Sequence, residues 1–181
     1  KGKTDMEFDA VCSQIAAEPG LLCIQSASGA YAITSGDEAI LFDCCMGAAR
    51  ALYGMGIKKI RTVYLTSHDR TSCCGLYEMP GVPVFASAGT RRLLENAENL
   101  WSGNNGTRYH MVDFDPQKNI PCSNIKTAGT VSGGDVITWN GWTVEVVATP
   151  GFSQHDVSYF LSRDGRRLCV CGKLLCKGGK L

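Results

Sequence analysis

The sequence predicts a layered α/β domain built on two β-sheets. Three observations carry that expectation. The first stretch of the chain reads as strands with helices between them, whereas the later part reads as a mostly antiparallel run of strands and turns. Asn140-Gly141 sits between two of those later strands and is a strong two-residue hairpin signal. The 181 residues are 44% hydrophobic and 19% charged, which is enough apolar matter to bury a core.

Taken in order, residues 4–17 are expected to be helical. Thr4 or Asp5 caps the start, Phe8, Val11, Cys12 and Ile15 form an apolar stripe, and Pro19-Gly20 ends it. A β series follows at residues 21–25, 30–34 and 38–43, with turns at Ser28-Gly29 and Ser35-Gly36-Asp37. Residues 48–55 form a helix closed by Gly56, and residues 60–66, rich in β-branched side chains, form a buried strand. Residues 82–86 are a short strand, and residues 87–100 a helix with Leu93, Leu94, Ala97 and Leu100 on or near one side. A polar, Gly-rich loop occupies residues 102–107. Strands are then expected at 109–114, 135–139, 142–148, 157–161 and 168–171.

Length suits one domain with a short extra arm: residues 1–20 as a helical arm or linker, and residues 21–181 as the domain. A net charge of +1, with Lys and Arg dispersed, gives no basis for a nucleic-acid or membrane-surface partner, and no apolar run approaches the ~20 residues that span a bilayer. The start, Lys1-Gly2-Lys3-Thr4, has neither an initiator Met nor an apolar signal core and reads as an internal boundary within a longer protein. Ten cysteines include the neighbours Cys44-Cys45, Cys73-Cys74 and Cys169-x-Cys171; with no pair of C-x-x-C knuckles they fit no zinc ribbon, and with so much aliphatic core they read as small buried hydrophobes rather than a disulfide framework.

The segment richest in chemistry follows the buried strand at residues 60–66. It reads Thr66-Ser67-His68-Asp69-Arg70-Thr71-Ser72-Cys73-Cys74-Gly75. This loop resembles the H-x-H-x-D-H motif of the metallo-β-lactamase superfamily, which has Thr just before it and Gly just after. Other segments resemble that superfamily in the same order. They are the strand from Gly36 to Asp43, the approach Gly56-Ile57-Lys58-Lys59-Ile60, the strand Pro83-Val84-Phe85-Ala86, the hairpin from Gly133 to Ala148, the turn Thr149-Pro150-Gly151, and the strand end Val170-Cys171-Gly172-Lys173. The resemblance covers residues 22–181 and implies an αββα two-sheet sandwich with the site at one edge of the sheets. It also implies a C-terminally incomplete copy, because the closing strands and last His of the superfamily have no counterpart before Leu181.

On that frame the ligands are replaced. Ser67 stands for the first His, Asp69 for the second, Thr71 for the Asp, Ser72 for the last His of the motif, Phe152 for the His after Thr-Pro-Gly, and Lys173 for the metal-bridging Asp. A hydrolytic zinc site needs about three protein ligands and an open position, yet this set retains one good donor, Asp69. A lysine ammonium there repels a metal ion by roughly 4 kcal/mol per unit charge at 4 Å and an effective dielectric of ~20, and it supplies positive charge that can pair with Asp69 instead. The expectation is therefore a vestigial pocket without metal or other cofactor, in a pseudoenzyme domain with a structural, binding or regulatory role. Its partners would be other domains of a longer parent, a protein partner, or a small anion held by Lys173, Arg70 and nearby hydroxyls.

The competing reading is a metal-dependent hydrolase using displaced ligands, with zinc or iron held by His68, Asp69, Cys73, His155 and Asp156. Two thinner readings lack a frame. Ser67 or Ser72 with His68 or His155 has the residue types of a hydrolytic triad but no G-x-S-x-G elbow, and Cys73-Cys74 lacks the C-x-x-C spacing of dithiol enzymes.

Overall fold

The computed structural model describes residues 10–14, 18–26, 28–101 and 123–174. Seven strands form the larger sheet in chain order: β1 (Val11–Gln14), β2 (Leu21–Gln25), β3 (Gly29–Ser35), β4 (Glu38–Phe42), β5 (Lys59–Tyr64), β6 (Val84–Ser87) and β7 (Gly129–Val131). The first four pair antiparallel through short turns, and β4 to β7 run parallel. Parallel neighbours need crossovers. These are supplied by α1 (Ala48–Gly54) between β4 and β5, by α2 (Arg70–Cys73) with the 3-10 turn Cys74–Glu78 between β5 and β6, and by α3 (Ala88–Leu94) and α4 (Ala97–Trp101) between β6 and β7.

The smaller sheet is an antiparallel meander of β8 (Val136–Trp139), β9 (Trp142–Ala148), β10 (Val157–Arg163) and β11 (Arg166–Val170), in spatial order β11-β10-β9-β8. Asn140 and Gly141 both take positive φ, 47° and 79°, as the hairpin signal between β8 and β9 requires.

Burial follows from period-2 alternation. On β4, Ala39 and Leu41 join the core on the helix side of the larger sheet, while Ile40 and Phe42 join the core between the sheets. Both faces are covered, which is why this strand reads as nearly continuous hydrophobic sequence. Ala48, Ala49 and Leu52 of α1 and Leu94 of α3 close the helix-side core. Between the sheets, Leu21, Ile33, Ile40 and Phe42 meet Trp142, Val144, Val146, Tyr159 and Leu161. Among the described residues α1 and α3 contact strands of the larger sheet, so three of the four αββα layers are described.

Tyr159 locks the two sheets together. Its ring centroid lies 5.2 Å from that of Phe42 and 5.9 Å from that of Tyr64, and its hydroxyl donates to the Leu65 carbonyl at 2.8 Å. Tyr159→Phe keeps the ring but leaves that buried carbonyl without its donor. It is expected to cost about 1–3 kcal/mol in urea unfolding, with an unchanged m-value.

Three expectations need correction. The helix expected over residues 4–17 is a strand where it is described: Val11–Gln14 pairs antiparallel with β2, Cys12 opposite Ile24. Alternation explains it. Ala10 and Cys12 pack against the helix-side core while Val11 is 65% exposed, so the apolar positions fit period 2, and pairing satisfies the backbone of β2. The helix expected over residues 87–100 breaks into α3 and α4. The Leu94 carbonyl accepts from the Ile125 N–H at 2.9 Å and the Glu98 N–H donates to Asn124 Oδ1 at 3.1 Å, so both ends of the helical bond that would bridge the break are used elsewhere. Strand β7 was not anticipated. The strand expected at 109–114 and the loop at 102–107 lie outside the described residues.

The eight described cysteines are free, and Cys44, Cys45, Cys73 and Cys74 are buried. No helix among the described residues is long and apolar enough to cross a membrane.

Candidate functional site

The site forms where β4 and β5 end. Asp43, at φ 57°, follows β4 directly, and its carboxylate accepts from the Thr66 amide at 2.8 Å and from the Thr66 hydroxyl at 3.0 and 2.8 Å. Burial pushes this carboxyl up to about 7, the Thr66 bonds oppose that, and the charges of Asp69 and Asp156 add to it. Gly172 is packed so closely beneath that an added Cβ would lie 2.2 Å from the Thr66 hydroxyl, and its φ of 52° suits glycine.

Asp69 is the hub of the motif loop. It is the N-cap of α2: Oδ2 accepts from the Thr71 amide at 3.0 Å and from the Thr71 hydroxyl. Its other oxygen lies 2.8 Å from Lys173 Nζ. Lys173 Nζ also sits 5.2 Å from the centroid of the Phe152 ring, a cation–π contact. The fold thus links Thr71, Asp69, Lys173 and Phe152 in a chain of contacts. Ser67 joins from the strand side, where its Oγ accepts from the Asp69 amide at 3.3 Å and its side chain bonds to Asp156. Ser72 serves the scaffold: it is buried in α2, with its amide bonded to the Asp69 carbonyl and its carbonyl accepting from Cys44 N at 2.7 Å.

The displaced-ligand candidates go different ways. Cys73 points its thiol at the Asp69 and Ser67 carbonyls, at 3.0 and 3.7 Å, and burial raises it well above the usual thiol range. Cys74 does likewise toward Thr71. His68 is buried, its ring centroid 6.1 Å from that of Phe152. Burial lowers its pKa, His155 and Lys173 add to that, and Asp156 and Asp69 oppose it. The His155 ring lies on α3 at Gly89, where a Cβ would approach it to 2.2 Å, and its carbonyl accepts from Ser87 Oγ at 2.6 Å. Asp156 Oδ2 accepts from Ser153 N at 2.8 Å, and burial raises the carboxyl above the ordinary range.

Beside these groups opens a cleft of ≈ 220 Å³ lined by His68, Leu93, Leu100, Phe152, Ser153, Gln154 and His155. Leu93 and Leu100 were legible only as a helical stripe, and Ser153 and Gln154 gave no signal beyond lying between Phe152 and His155.

Among the described residues, those at the motif's ligand positions form a poor donor set for a divalent metal ion. Asp69, the retained donor, is committed through both oxygens, to the Lys173 ammonium on one side and to Thr71 on the other. Phe152 offers no lone pair. Among the described residues no group of three or more His, Cys, Asp or Glu is arranged to hold an ion.

No protein-family model matches the chain, and no curated protein does. Solved structures do match. The metallo-β-lactamase of Cronobacter sakazakii with a HARLDQ motif superposes with a TM-score of 0.67 at 18% identity, covering 86% of this chain and 56% of that one. The subclass B3 metallo-β-lactamase BJP-1 of Bradyrhizobium japonicum gives 0.62 at 18% identity, covering 83% and 57%. GOB-18 of Elizabethkingia meningoseptica gives 0.64 at 12% identity, covering 92% and 63%. The chain spans between 56% and 63% of the length of these three proteins. At such identities the likeness is one of architecture: this chain has the metallo-β-lactamase superfamily fold.

Proposed function

We propose that this chain is a metal-free metallo-β-lactamase-like domain, a pseudoenzyme that acts in a structural, binding or regulatory capacity within a larger protein. The observation that carries this reading is the Lys173–Asp69 pair at 2.8 Å. It supplies a fixed positive charge beside the retained carboxylate, and the N-cap role of Asp69 gives that residue a structural use independent of catalysis. One matched structure is named for a HARLDQ motif, which differs from H-x-H-x-D-H at its third and sixth positions. The proposed partners are other domains of the parent protein or a separate protein.

The rival reading places zinc or iron on His68, Asp69, Cys73, His155 and Asp156. The two differ in a direct measurement. Elemental analysis of natively purified protein is expected to find no stoichiometric zinc, iron or manganese. The unfolding midpoint is expected to be unmoved by EDTA or by added zinc, whereas a site filled at 100 times its Kd would stabilise the fold by about 2.7 kcal/mol. One equivalent of tightly held metal with a chelator-sensitive midpoint would establish the rival.

A further inference from the structure

We propose that the cleft beside His68 binds an uncharged nitrogen heteroaromatic of one or two rings. This rests on the metal-free reading of the same site. Size sets the first limit: ≈ 220 Å³ is below the ~300–1,000 Å³ typical of pockets for drug-sized ligands. Leu93, Leu100 and Phe152 give apolar and aromatic walls suited to a flat ring. The rest of the lining, His68, His155, Gln154 and Ser153, both donates and accepts hydrogen bonds. A ring bearing nitrogen acceptors and N–H donors can bond the Gln154 amide and the His155 ring on that rim, which a plain hydrocarbon cannot.

Charge sets the second limit. Among the described residues no Lys, Arg, Asp or Glu lines the cleft; the nearby charges are Asp156, whose carboxylate is bonded to the Ser153 amide, and the mutually paired Lys173 and Asp69. A carboxylate or phosphate ligand would lose its hydration there, with Asp156 adding repulsion and the lysine already paired to Asp69. The rim is also held in place before any ligand arrives. Ser153 N and His155 N are bonded to Asp156 Oδ2 and Ser153 Oγ at 2.8 and 3.1 Å, the His155 carbonyl is held by Ser87, and Gly89 gives the His155 ring its seat. Preorganisation of this kind lowers the ordering cost of binding.

The test is titration of EDTA-treated protein, with its metal content measured, by saturation-transfer NMR and calorimetry. Adenine and benzimidazole serve as probes, and benzoate and inorganic phosphate as charged comparisons. Saturable binding of at least one heteroaromatic is expected, together with shifts of the His68 and His155 ring protons. Leu93→Trp, which fills the cleft, and Phe152→Leu, which removes the aromatic wall, are each expected to weaken binding at least ~10-fold. The histidine shifts need no variant and decide the matter if either variant fails to fold. Failure of both probes in demonstrably metal-free protein, stationary histidine signals, or a preference for benzoate or phosphate overturns the inference and leaves the metal-free reading standing. Binding that requires bound zinc or iron and vanishes on chelation overturns the metal-free reading itself.

Discussion

Replacing Glu18 by Ala is expected to destabilise the fold by about 2–4 kcal/mol, toward the lower end of what breaking a buried ion pair costs. Glu18 lies just before β2, is 5% exposed, and receives Arg163 Nη2 at 2.8 Å and Arg166 Nη1 at 3.4 Å from the other sheet. Arg163 also stacks on Trp142, 4.2 Å from the ring centroid, and donates to the Pro19 carbonyl. The carboxylate therefore ties the start of the larger sheet to the β10–β11 hairpin, across the rim of the core that contains Trp142. Its loss leaves a guanidinium, 20% exposed, facing the space where its counter-charge stood. The partial exposure of Arg163 is the reason for the lower end of the range. Arg166 is 62% exposed, so Arg166→Ala should cost less than about 1 kcal/mol. Urea unfolding of both variants, with a Glu18/Arg163 double-mutant cycle, checks the ordering. Equal small effects from Glu18 and Arg166 would mean that the stitch contributes nothing.

This stitch was invisible in the sequence, and the reason is physical. Glu18 and Arg163 are 145 positions apart and neither belongs to a local pattern. What could be read was what local chemistry dictates: the strand runs with their alternation, the Asn140-Gly141 hairpin, and the loop after β5, whose spacing survives although its ligands do not. The charge logic at Lys173 was also readable, because replacing a bridging acid by a cation beside Asp69 leaves few arrangements other than a pair. The errors arose where a tertiary partner decided. Val11 and Cys12 suit a helix and a strand equally until β2 offers an unpaired edge. Residues 87–100 suit one helix until Asn124 and Ile125 take the bonds at its middle. The cleft was unreadable for the same reason, since Leu93 and Leu100 become its wall only once the loop at Phe152 has packed against them.

Asp43→Asn is expected to flatten the fall in stability that the wild type shows as pH rises from about 4 to 7. In the unfolded chain this carboxyl titrates near its ordinary 3.8, but burial holds it at about 7 in the fold. Across that window the folded protein carries a proton that the unfolded chain has lost. Stability is therefore complete below the lower value and declines as pH rises through the upper one, at no more than about 1.4 kcal/mol per pH unit for a single group. Asparagine is neutral throughout. Its carbonyl can accept from the Thr66 amide as Asp43 Oδ1 does, its amide can donate to the Thr66 hydroxyl, and it tolerates the positive φ of 57° at this position. The variant should run parallel to the wild type below about pH 4, gain on it between about pH 4 and 7 and hold a constant advantage above that, read as the difference between two urea-unfolding series so that Asp156, His68 and other shared titrations cancel. Parallel profiles would mean that Asp43 is already ionised in the fold. Asp69 and Asp156 would then face one more buried anion.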